Sequence, residues 1–283
     1  MSYSGGKAGS GVYQKVINLM PPHGTYIEAF LGAGAIMNAK RPAAFNVGIE
    51  ISRDVQKMWS RCDIPNFRLE SDAIKYLSDL CTEIDLMKSR FPDFGRDYLV
   101  YCDPPYLMEV RSHKRPIYKH EFHTAKEHTE LLQILRRLPC YVMISGYDSE
   151  LYNRLLHDWR KVQFAGVSRG GPRTETVWLN FPEPAELHDY RFLGDDRRER
   201  QDIKRQKMRW LAKLDKMPSQ RRYAMFSALE EYRSAVGRND GTTKANGRAD
   251  AVRAAGTGPR SDDGETAAGR ENSSQPKENS IHV

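Results

Sequence analysis

The chain has 283 residues, 39% of them hydrophobic, with a net charge of +7 and a pI near 9.1: enough for a real core in one large or two small domains, with a basic balance that favours a polyanionic partner. No apolar run approaches a membrane span and the start, Met1 to Lys7, has no apolar signal segment, which excludes a membrane protein and predicts a cytosolic one. Cys62, Cys81, Cys102 and Cys140 are scattered, without Cys/His ligand spacing, which excludes a disulfide framework and a zinc site; no metal is expected.

In chain order, Tyr3 to Lys7 is glycine-rich, and Val12, Val16, Ile17 and Leu19 give one face of a short helix that Pro21-Pro22 stops. Gly24 to Phe30 reads as turn then strand, followed by Leu31-Gly-Ala-Gly-Ala-Ile36, a glycine turn opening a helix. Such glycines let backbone approach a ligand closely; a lone Gly-x-Gly is weak, and its place after a first strand strengthens it. A second strand, Phe45 to Ile49, ends at Glu50, where an acid commonly takes a ribose diol and otherwise is a solvated residue at a helix start. Val55, Met58 and Trp59 suggest a helix, Phe67 to Leu69 a third strand, and Leu77, Leu80 and Met87 a second helix. Asp72, between these last two, is read equally as a helix N-cap or as a cofactor contact.

Tyr98 to Cys102 is a run of β-formers without polar alternation, the pattern of a strand buried on both faces. Asp103-Pro-Pro-Tyr106 follows at its carboxyl end, where open α/β sheets bind their ligands. Two prolines fix φ and remove two N–H groups, so the Asp103 carboxylate and the Pro104 carbonyl form a rigid pair of acceptors. They can take the two hydrogens of an exocyclic amine, freeing its lone pair, while the Tyr106 ring holds the base by stacking. An Asp capping a proline-rich turn is the plainer account of the tetrapeptide.

Met108 to Phe122 is a basic, aromatic-bearing loop with Arg111 and Tyr118, suited to phosphates and an unstacked base, or else a solvated loop. Thr124 to Glu127 is a capping box for a helix carrying Leu131, Leu132, Leu135 and Leu138. Cys140 to Ser145 is the next strand and Gly146 to Asp148 a turn into a helix. Lys161 to Val167 and Thr176 to Phe181 predict a closing hairpin, linked by the loop Ser168 to Glu175. The result is an α/β domain, residues 1–187, with a mainly parallel sheet and an antiparallel edge. Residues 188–236 predict a basic helical hairpin that either faces nucleic acid or is a solvated extension; from His188 to Arg233 there are 13 Lys or Arg against 8 Asp or Glu. Residues 237–283, nearly devoid of large apolar residues, predict a disordered tail.

Taken in order, Ser4-Gly-Gly-Lys7, Glu28-Ala-Phe-Leu-Gly-Ala-Gly34, Glu50 and Asp103-Pro-Pro-Tyr106 resemble the motifs of the Dam-like DNA adenine methylases. Ser145-Gly-Tyr147 and Arg173 to Asn180 look like the shorter phage and prophage members. The resemblance covers Tyr3 to Phe181 and implies a Rossmann-like class I S-adenosylmethionine-dependent methyltransferase acting on N6 of adenine in DNA, with the base flipped from the duplex. It further implies that Tyr3, Lys7, Phe30, Gly32, Gly34, Glu50, Asp72 and Asp103 contact S-adenosylmethionine. Asp103, Pro104 and Tyr106 act on the target amine, and Arg111, Tyr118, Phe122 and Arg173 meet the DNA. The residues leave an RNA adenine or a cytosine-N4 methyltransferase open, and also a non-catalytic nucleic-acid-binding protein on this fold. A restriction endonuclease partner, or none, fits equally. Longer members insert a target-recognition domain before the catalytic motif; Ser71 to Asp97 leaves room for little beyond a helix, so sequence reading falls to Met108–Phe122, Arg169–Glu175 or the basic hairpin.

Overall fold

A computed structural model describes residues 11–107, 122, 124–168 and 171–235. Tyr3, Lys7, Arg111, Tyr118 and the tail beyond residue 235 lie outside the described residues. Seven strands form one sheet: β1 (Thr25–Ala29), β2 (Phe45–Ile49), β3 (Phe67–Glu70), β4 (Tyr98–Cys102), β5 (Tyr141–Gly146), β6 (Arg160–Ser168) and β7 (Gly171–Leu179). Their order is β3-β2-β1-β4-β5-β7-β6, and β7 runs antiparallel to both neighbours while the other pairings are parallel. This is a Rossmann-like α/β arrangement with an antiparallel edge. The order reverses between β1 and β4, so the carboxyl ends of those two strands frame the crevice where such sheets bind ligands.

The unbroken apolar run of β4, and the runs of β1 and β5 interrupted by Thr25 and Glu28 and by Ser145, go with burial on both faces. Ile27, Ala29, Val100, Cys102, Val142 and Ile144 join one core with α4 (Ala73–Lys88) and α5 (Ala125–Arg137). Tyr26, Leu99, Tyr101 and Met143, one residue out of phase, join the opposite core with α1 (Val12–Ile17), α2 (Ala35–Ala39) and α3 (Arg53–Trp59). Local chemistry sets the helix starts. The Thr124–Glu127 capping box is formed, the Asp72 carboxylate accepts from Lys75 N–H, and Ser149 accepts from Tyr152 N–H to start α6 (Glu150–Leu155).

The closing hairpin departs from expectation. Residues 171–175 belong to a strand and not to a loop: β6 and β7 pair from Arg160↔Leu179 to Ser168↔Gly171. The pairing of β7 with β5 stops at Gly146↔Thr176. Beyond Thr176 the hairpin is a two-stranded ribbon projecting past the end of β5; Phe164 on β6 still joins the core with α1, while the polar residues 173–175 on β7 mimic a loop. The projection carries Arg173 and Glu175 beyond the end of β5.

Inter-residue contacts divide the chain at Arg209 and Trp210, inside α7 (Arg197–Asp215). Within the first unit, residues 188–192 are tied to α1 and to the segment after α2. His188 N–H donates to the Met20 carbonyl, Arg41 N–H to Asp189, and the Arg191 guanidinium to the Ala39 carbonyl. In the second unit residues 219–235 are helical, with Tyr223, Leu229 and Tyr232 exposed. No helix among the described residues is long and apolar enough to cross a membrane.

Candidate active site at the tips of β1 and β4

Ala29 and Cys102 are register partners, the last pair of the β1–β4 ladder. The next residues, Phe30 and Asp103, therefore leave neighbouring strand tips together, and Asp103 N–H still reaches the Ala29 carbonyl at 3.3 Å. The glycine turn and the catalytic motif thus share one crevice wall. Phe30 has φ of +61°, a conformation that L side chains rarely hold and that clusters at ligand sites. Gly32 and Gly34 also have positive φ, +51° and +59°.

The turn is braced from two sides. Glu50, buried at the end of β2, accepts from Gly32 N–H and from Ser52 N–H, each at 2.8 Å. The Trp59 indole donates to the Gly32 carbonyl at 2.9 Å. A Cβ placed on Gly34 would run into that indole ring. The close approach that Gly34 permits is therefore made by the chain's own Trp59, which the sequence suggested only as the apolar face of a helix. Asp72 sits one strand further out, its carboxylate capping α4.

Around Asp103 the structure assembles groups that the motif does not announce. Ser145, fully buried on β5, donates to Asp103 Oδ1 at 2.8 Å and shares a hydrogen bond with the Tyr101 hydroxyl at 3.0 Å. The Tyr106 hydroxyl donates to Glu175 Oε2 at 2.8 Å and lies 3.3 Å from Asp103 Oδ1. Burial, with Asp103 and Glu175 next to it, pushes the Tyr106 phenol well above its usual range. The Tyr147 ring meets Tyr106 edge-on at 4.5 Å, and Arg173 donates to the Tyr147 hydroxyl while its guanidinium lies over that ring. Phe122 packs 5.0 Å from Phe30. The site therefore brings together Phe30, Gly32, Gly34, Glu50, Asp103, Tyr106, Phe122 and Arg173. The sequence signal for Ser145 was a hydroxyl in an otherwise apolar strand; for Glu175 it was hidden in the supposed loop. Among the described residues no cluster of three or more His, Cys, Asp or Glu is placed to hold a metal ion.

Beneath the strand tips lies Glu28, 3% exposed, which accepts from the Tyr26 hydroxyl at 2.9 Å. Burial and, to a lesser degree, the Asp103 charge together push Glu28 up to about 8, against the Tyr26 hydrogen bond, Lys40 and the Met37 N–H. Because the folded-state value is raised, the stability Glu28 contributes is complete below its unfolded value of about 4.5 and is lost as the pH rises towards 8. Lys40, pulled down to about 7 by burial, and His23, pulled down to about 2 by burial and by His188, have the opposite sign. Comparison with Glu28→Gln isolates the carboxyl. Relative to that variant, the wild type should lose stability between pH 5 and 8 on the order of 1 kcal/mol per pH unit. Urea unfolding at several pH values measures it, and a constant difference would refute a buried neutral Glu28.

Residues 94–166 match the family model of the D12 class N6 adenine-specific DNA methyltransferases. No curated protein matches the chain. Among solved structures it is similar to the magnesium protoporphyrin IX methyltransferase of Synechocystis PCC 6803 with bound SAM, at 12% identity over 56% of this chain and 71% of that one, TM-score 0.33. It is also similar to the tRNA (uracil-54, C5)-methyltransferase of Pyrococcus abyssi in complex with S-adenosyl-L-homocysteine, at 15% identity over 60% and 37%, TM-score 0.37. A 23S rRNA methyltransferase is 10% identical over 66% and 72%, TM-score 0.36. The matched residues run from the turn before β4 into the edge strand β6 and include Asp103, Tyr106 and Ser145.

Proposed function

We propose that this protein transfers a methyl group from S-adenosylmethionine to N6 of an adenine flipped out of DNA. The observation that carries the reading is the position of Asp103, next to the Phe30–Gly34 turn and fixed by Ser145 and the Tyr106 hydroxyl. The residues present suit the cofactor. The Glu50 carboxylate spends one acceptor site of each oxygen on backbone N–H groups, and each oxygen has a second for a ribose diol. Gly32 and Gly34 shape the turn beside it, and Phe30 offers an apolar wall. Bound there, S-adenosylmethionine supplies an electrophilic methyl group on its sulfonium.

The chain's own contribution is positional. Asp103 and the Pro104 carbonyl accept the two hydrogens of the adenine amine, which localises its lone pair and aims it along the transfer direction. Ser145 keeps the carboxylate from rotating away. Tyr106, held by Glu175 and flanked by Tyr147, presents its ring to the base, and Phe122 closes the side next to Phe30. Extrusion of the base costs a few kcal/mol, offset by stacking and these hydrogen bonds.

The test is to incubate the full chain with S-adenosylmethionine and, separately, with DNA and RNA, then resolve the nucleosides by mass spectrometry. N6-methyladenine in DNA is the expected product. N4-methylcytosine, a product in RNA alone, or no binding of S-adenosylmethionine by calorimetry would each overturn the reading.

A further inference from the structure

A second feature of the first unit has no part in the chemistry above: an open cleft of about 380 Å³ between Gln14 on α1, the segment at Arg191–Phe192, and the face of α7 carrying Arg197, Arg200 and Lys204. Four cations line it and no acid does. We infer that this cleft seats the phosphodiester backbone of DNA, an inference that rests on DNA being the substrate.

The cleft is built rather than accidental. Phe192 is fixed from two directions, its carbonyl accepting from the Asn18 side chain at 2.6 Å and its ring meeting Tyr13 edge-on at 5.5 Å. Arg191 lies over that ring at 5.5 Å and is paired with Asp189, which offsets its charge. Arg200 is oriented by the Gly194 and Asp195 carbonyls at 3.2 and 3.3 Å, with the exposed Asp196 carboxylate within its electrostatic reach. The spacing 197, 200, 204 puts three cations on one helical face over about 10.5 Å.

The acids of α7 are occupied elsewhere. Glu199 accepts from Asp195 N–H and Asp202 from Arg205. Arg197 and Lys204 are both exposed. An open row of cations with an aromatic floor and no enclosing N–H nest holds a small anion weakly and a polymer of phosphates well, because each neutralised phosphate releases a counterion. On a strand whose phosphates rise about 3.4 Å apart, the row reaches several of them.

The experiment compares the full chain with its Arg197→Gln/Lys204→Gln variant by fluorescence anisotropy on a labelled duplex of G·C pairs only, from about 50 to 200 mM salt. A duplex without adenine keeps the measurement independent of whether adenine is the target. The control, Arg61→Gln/Arg90→Gln, removes the same charge from exposed positions that precede β3 and β4, at the opposite end of the sheet from the crevice. The expected result is at least a tenfold weaker complex and a slope of log K against log salt flatter by about 1.8, because two phosphates at about 0.9 each are no longer neutralised. An unchanged slope, or a weakening matched by the control, overturns the inference and leaves the methyl-transfer reading standing. So does a changed sedimentation coefficient with unchanged DNA binding, which would make the cleft an interface between copies of the chain.

Discussion

Asp103→Ala should reduce methyl transfer to DNA by roughly 10²–10⁴-fold, the range lost when a positioned group that acts on the reacting atom is removed, while the protein remains folded. Asp103 lies at a strand tip and is only half-buried, so no core packing depends on it. Its loss does leave Ser145 without one acceptor, but the Ser145 hydroxyl also has Tyr101 and the Cys102 carbonyl within reach. Asp103→Asn is the sharper variant, since the amide keeps the shape and removes the charge. That charge is felt by Glu28 directly below, so in Asp103→Asn the Glu28 carboxyl should ionise at a lower pH. The loss of stability with rising pH should then begin at the same pH, set by the unfolded chain, but level off at a lower pH and a smaller total than in the wild type. Tritiated methyl transfer and urea unfolding together separate the two roles. Near wild-type transfer by either variant would end the assignment of Asp103 as the acceptor of the target amine. An unmoved stability profile would show that the two carboxyls are not coupled.

How much of this was legible in the residues depended on what each signal was made of. The strand β4 was readable to the residue because burial on both faces leaves a continuous apolar run, β2 because Phe45, Val47 and Ile49 recur at every second position, and α5 because Thr124 and Glu127 close a reciprocal cap. The hairpin beyond Thr176 was misread on its β7 side because residues 173–175 are Arg, Thr and Glu with no apolar residue to mark a period, while the buried Phe164 lies on the partner strand. Asp103 to Tyr106 was visible as a contiguous word, and Ser145 to Tyr147 and Arg173 to Asn180 as two more; that the latter two support the first was not. Ser145 is 42 residues from Asp103 and Glu175 is 69 from Tyr106, and only the β4–β5–β7 adjacency brings them together. Trp59 shows the same limit: its helical spacing says that it is buried, and nothing in the spacing says against what.

That hidden contact carries the second large effect. Gly34→Ala should cost about 2–5 kcal/mol of stability, from two separable sources. At φ of +59° an L residue is strained by about 1–2 kcal/mol, and the new methyl group falls within the Trp59 ring, close also to Leu31 Cδ1 at 3.2 Å. The ring has nowhere to go. It is 5% exposed, its indole N–H is held by Gly32, and it stacks on Phe67 at 5.4 Å, so relief requires overpacking of the kind that costs about 1–3 kcal/mol. Moving the ring also frees the Gly32 carbonyl, loosening the turn that Glu50 grips from the other side, and S-adenosylmethionine affinity should fall with stability. The double variant Gly34→Ala/Trp59→Phe tests the cause, because the smaller ring lacks the atoms that the methyl meets. Urea unfolding of both single variants and the double should therefore show strong non-additivity, the double recovering the steric part but not the backbone strain. Additive losses, or a Gly34→Ala cost no greater than about 1–2 kcal/mol, the cost of the left-handed backbone alone, would mean that Trp59 does not set the shape of the turn.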